Sequence, residues 1–179
     1  PYTTLFRSRE LFRLIVRRFG AARHNRGVSE TRSTNRIVQV CFPLEQVGGW
    51  PPVTQEEIAC NEIAPGQYRL KAIPFYARAV ARDDVVKAEM RQGKLVYTEV
   101  ADRSEAATVR AIVYEPARVP EVRKTLGFLG CDTAINELGK LVAIHVPSFV
   151  PYGPVRDYLE TQARSGLLGY EASCLMHTV

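Results

Sequence analysis

Two adjacent carboxylates set among guanidinium groups are the pattern in this chain that could transfer a proton or hold a metal. In RLKAIPFYARAVARDDVVKAE, residues 69–89, Asp83 and Asp84 follow Arg78 and Arg82. A catalytic dyad requires both carboxyls at one point, so that they share a proton or a cation. Asp83 and Asp84 directly precede VVKAEMR, which reads as a strand, and neighbours on a strand point to opposite faces. The expectation is therefore a structural corner at a turn or strand entry, with Arg78 or Arg82 as counter-charge.

A nucleophilic enzyme also needs a base beside its nucleophile. Beyond residue 36 the histidines are His145 and His177, the latter close to a fraying end. In LVAIHVP, Leu141, Ala143 and His145 share one face, and Val142, Ile144 and Val146 share the other. If the more apolar face meets helices, His145 lies on the open face. The same alternation in ATVRAIVYE brings Arg110, Ile112 and Tyr114 to it. Arg110, Tyr114 and His145, with Glu137 and Glu171, then form one polar candidate surface. As an RNA platform this surface would need a basic field as well as its tyrosine. As a catalytic or small-ligand site it lacks a nucleophile and a metal set. As a surface on which the N-terminal strands, a second copy or a protein partner packs, it needs nothing further. Trp50, in GGWPP, is either a binding anchor or a lid over the sheet. No cofactor or metal ligand set is expected.

The elements that must position these groups fall into two rhythms. IVQVCF, EEIACNEI, QYRLKAI, VVKAEMR and KLVYTEV read as five short strands, with Pro65-Gly66 and Gln92-Gly93 as tight turns. They predict a small antiparallel β-unit, a partial barrel, over residues 37–101. Ile73 precedes a proline, which ends the third strand there. PFYARAVA has room for two helical turns or a wide loop. Residues 102–179 read as strand, helix PARVPEVRKTLGFLG, hairpin about Gly139-Lys140, helix PYGPVRDYLETQARSG and final strand. That β-α-β-β-α-β order predicts a ferredoxin-like unit and an α+β fold class. Val122, Leu126 and Leu129 on the first helix, and Val155, Leu159 and Gln162 or Ala163 on the second, keep helical spacing.

The net charge of +5 suggests a polyanion partner until it is located. Residues 1–36 hold nine of the 24 basic residues and two of the 19 acidic ones, which leaves 15 against 17 and a net charge of −2 for the rest. Nucleic-acid binding by residues 37–179 is accordingly not expected. The first eight residues, PYTTLFRS, correspond to a common sequencing adapter translated in frame and are set aside as an assembly scar. RELFRLIVRRFG reads as a basic helix and residues 21–36 as a disordered linker. No apolar run approaches the roughly 20 residues that span a bilayer, so a cytoplasmic, non-membrane protein is expected. Cys41, Cys60, Cys131 and Cys174 form no paired metal or disulfide spacing and read as reduced, buried thiols.

FPLE at 42–45, GWPPV at 49–53 and IPFYARAVARDDVV at 73–86 together resemble the bacterial domain-of-unknown-function family DUF4265. The resemblance implies a domain beginning near Ile37 and carries no activity, cofactor or catalytic residue with it. The expected function is a non-enzymatic protein-binding or regulatory module, immunity-like or antitoxin-like by analogy, with a protein partner or a second copy. The alternative is a small-molecule-binding or hydrolytic enzyme using His145 with Arg110 or Asp83.

Overall fold

The computed structural model describes residues 36–175. The expectations for residues 1–35 and for His177 lie outside the described residues. Five strands come first: β1 (Ile37–Pro43), β2 (Gln55–Ala64), β3 (Gln67–Leu70), β4 (Val85–Arg91) and β5 (Lys94–Asp102). Each pairs antiparallel with the next. A short parallel joint, Val40 opposite Leu95 and Cys41 opposite Val96, closes them into a barrel.

The expected partial, all-antiparallel barrel is thus corrected to a closed one with a single parallel seam. Closure comes from strong local bending. Gln92 and Gly93 both take positive φ, 49° and 79°, as a tight hairpin requires. Register shifts at Glu62/Ala64, Val85/Val86 and Lys87/Ala88 coil β2, β4 and β5 until the last strand meets the first. Val40, Phe42, Ile58, Cys60, Leu70 and Val86 fill the interior, and Phe42 stacks on Tyr97 with ring centres 4.6 Å apart.

The third strand ends at Leu70, before the predicted Ile73, and residues 71–84 form a loop with no helical turn. Ala79 takes a left-handed backbone, φ 56°, which a helix cannot accommodate.

The remainder runs β6 (Ala107–Val113), a 3-10 turn (Pro116–Arg118), α1 (Val119–Phe128), β7 (Asp132–Ile135), β8 (Leu141–Val146), α2 (Tyr152–Arg164) and β9 (Leu168–Cys174). Pro116 opens the 3-10 turn, so the α-helix begins later than predicted, with Pro120 in its first turn where a missing N–H costs nothing. The four strands form one antiparallel sheet in the order β7-β8-β6-β9. Val109, Ala111, Val113, Val142, Ile144 and Val146 project from one face into a core with Val122 and Leu126 of α1 and Val155 and Leu159 of α2. Both helices therefore cover the same face. The α+β class follows from these elements. The opposite face carries Thr108, Arg110 and Ile112 of β6 and Leu141, Ala143 and His145 of β8. Barrel and sheet belong to one compact unit.

Candidate functional site

The face that carries Arg110 and His145 is covered, and loop 71–84 covers it. Charged side chains from both parts clamp this loop. From β2, Glu56 Oε1 accepts the Phe75 N–H at 2.6 Å, and Oε2 accepts those of Tyr76 and Ala77 at 2.9 and 2.7 Å. From β6, Arg110, only 3% exposed, donates to the Ala77 carbonyl and pairs with Glu171 of β9 at 3.0 Å. Arg103 donates to the Ala79 carbonyl, and the Ala79 N–H donates to the Ser173 carbonyl at 3.1 Å. Burial lowers the Arg110 guanidinium from its usual range, and the bond to Glu171 partly restores it.

The two aspartates do separate work. Asp84 is 1% exposed; its carboxylate accepts the N–H groups of Ala81 at 3.0 Å and Ser104 at 2.8 Å and the Ser104 hydroxyl at 2.7 Å. Its counter-charge is Arg103 at 3.4 Å, in place of the expected Arg78 or Arg82, because Arg103 at the end of β5 reaches the inner side of the loop. Arg78 points to solvent. Asp83, with φ 72° and its side chain 42% exposed, lies 3.7 Å from Arg82, whose other end meets Asp132 of β7 at 2.6 Å.

The single polar surface expected from strand alternation is divided between two concavities. One is a groove of about 350 Å³ that brings together Trp50, Arg110, Ile112, Tyr114, Tyr170 and Glu171. Its walls are aromatic and its floor is the Arg110–Glu171 pair. Trp50 packs edge-on against Tyr76, ring centres 5.7 Å apart. Tyr114 lies across β9 over Gly169: a Cβ there would stand 2.8 Å from the Tyr114 hydroxyl, so the exposed ring would have to shift. Arg110 Nε is buried and has no hydrogen-bond partner among the described residues.

The other concavity is an open cleft of about 550 Å³, bordered by Arg82, Asp83, Arg103, Asp132, His145 and Phe149 among others. His145, 2% exposed, stands opposite Thr108 on β6 and Asp132 on β7. Its Nδ1 and the Thr108 hydroxyl both lack a partner among the described residues. Burial, and secondarily Arg82, pushes the imidazole down to about 4, so it is neutral at physiological pH. His145 therefore shares a cleft with Asp83 and none with Arg110. Glu137 is exposed on the β7–β8 turn, away from both.

Glu56 and Arg103 were not singled out from the sequence. Glu56 had a readable signal: it has the same strand parity as Ile58 and Cys60, so its carboxylate falls on the inward side of β2 and must find donors there. Arg103 had none. Among the described residues, no cluster of three or more His, Cys, Asp or Glu could hold a metal ion, and no helix is long and apolar enough to cross a membrane. All four cysteines are buried and unpaired.

Fold and site together define a two-part α+β protein in which a charge-clamped loop seals a β-barrel onto an antiparallel sheet. The family model for the domain of unknown function DUF4265 matches residues 56–170, and the chain belongs to that family. The crystal structure of a hypothetical protein from Neisseria gonorrhoeae is similar in fold, with a TM-score of 0.68 and 15% identity, over 78% of this chain and 96% of that one. No curated protein matches the chain.

Proposed function

We propose that the chain is a cytoplasmic, non-enzymatic bacterial module that recognises a protein partner, regulatory in the manner of immunity or antitoxin proteins. One observation carries this reading: Trp50, Ile112 and Tyr114 are all exposed hydrophobics, and they stand around one groove above a buried, hydrogen-bonded arginine. Trp, Tyr and Arg are the residue types that dominate binding energy at protein interfaces. At about 350 Å³ the groove suits one inserted apolar or aromatic side chain. Glu171, 49% exposed at the groove, favours a basic neighbour beside that anchor. The strand order β7-β8-β6-β9, with both helices on one face, supports a ferredoxin-like unit as the scaffold. The test is capture from a bacterial lysate by the full chain, by Trp50→Ala and Tyr114→Ala, and by Lys124→Ala as a distant control. A partner kept by the wild type and the control and lost by both groove variants supports the reading. A partner bound equally by all, or turnover of a metabolite in a broad screen, overturns it.

A second reading, a small-molecule-binding protein using His145 with Asp83, is favoured by their presence in the same cleft. The version that pairs His145 with Arg110 loses support, because those residues open into different concavities.

A further inference from the structure

We infer that the cleft beside His145 binds a small zwitterion of amino-acid or dipeptide type that carries an apolar side chain. This deepens the second reading above and is independent of the aromatic groove. Arg69, Val85 and Asp102 form one cross-strand row, Arg69 opposite Val85 on β3 and β4 and Val85 opposite Asp102 on β4 and β5. All three line the cleft. Since one strand separates them, the backbones of Arg69 and Asp102 are about 10 Å apart. Neither charged side chain has an ion-pair or hydrogen-bond partner among the described residues. The cleft's other arginines are already answered, Arg82 by Asp132 at 2.6 Å and Arg103 by Asp84 at 3.4 Å.

What is left is one unmatched cation and one unmatched anion along the same wall. A ligand that is wholly anionic or wholly cationic would satisfy one and be repelled by the other; a zwitterion satisfies both. Across the cleft, His145 lines the wall, with its unpartnered Nδ1 closed off from solvent on the inner side. As a neutral imidazole it adds no charge to the cleft, so the balance of charge along the opposite wall is left to Arg69 and Asp102. Phe149 at the border, 84% exposed, supplies apolar surface for a side chain.

The experiment is calorimetric titration of the full chain with leucine, phenylalanine and leucylphenylalanine, and with their N-acetyl and C-terminal amide derivatives. Saturable binding of the zwitterions, weakened about tenfold or more by either blocking group and by either Arg69→Gln or Asp102→Asn, is the expected result. Both substitutions fall on exposed side chains, so the fold is retained and circular dichroism checks it. Equal binding of the blocked compounds, or binding insensitive to both substitutions, overturns the zwitterion assignment and leaves a ligand cleft. Heat from none of the compounds overturns the assignment and the cleft's role as a small-molecule site.

Discussion

Arg110 and Glu171 face each other across β6 and β9 at 3.0 Å, the guanidinium buried and the carboxylate half open to solvent. This asymmetry determines which partner is the more costly to lose. Replacing Glu171 with Ala leaves the buried guanidinium with the Ala77 carbonyl and the water that enters from the half-open side, a loss of about 2 kcal/mol. Arg110→Met removes the charge itself and keeps most of the packing, so it should be the milder change. Urea midpoints of the two variants check the order; a milder effect of Glu171→Ala would show that the Arg110 bond to the Ala77 carbonyl outweighs the pairing with Glu171.

Adjacent aspartates should respond very differently to the same substitution. Both oxygens of Asp84 accept hydrogen bonds, so Asp84→Asn must turn an NH2 group toward a donor, at about 2–3 kcal/mol. Asp83 is exposed in a left-handed conformation that Asn tolerates, and Asp83→Asn should stay within about 0.5 kcal/mol. Thermal unfolding of the pair measures the contrast.

His145 should make stability depend on pH. Its folded value is pushed from 6.5 down to about 4, so between those limits the unfolded chain takes up a proton that the folded chain refuses. Stability is then full above about pH 6.5 and declines as pH falls toward 4, by roughly 3 kcal/mol in total. His145→Gln should flatten that decline, read from unfolding midpoints at pH 7, 5.5 and 4.5.

The thiols should be silent in the native state. Burial pushes Cys60 up to about 12 and Cys131 up to about 11, and it raises Cys174 as well, so little thiolate forms at pH 8. A thiol reagent such as dithionitrobenzoate should leave Cys41, Cys60, Cys131 and Cys174 largely unmodified in the folded chain and react with all four once urea unfolds it. Rapid native labelling would show that the sheet or barrel opens.

Much of this was legible locally. Alternation in LVAIHVP put His145 opposite the helix-facing residues, and it lies there, because side-chain direction along a strand is a backbone property with period two. Helical spacing placed Val122, Leu126, Val155 and Leu159 in the core for the same kind of reason. Glycine and proline marked the hairpins, since positive φ is a single-residue preference. What covers the open face was not a local matter. Glu56 holds Phe75, Tyr76 and Ala77 across 19 to 21 residues of sequence, and Arg110 reaches Ala77 across 33. Those contacts join residues far apart in the chain, so no local pattern announces them. Strand parity therefore sufficed to place Arg110 and His145 on one face. Whether they met in a single site was decided by the folded loop, which occupies the space over that face and leaves one concavity beside each.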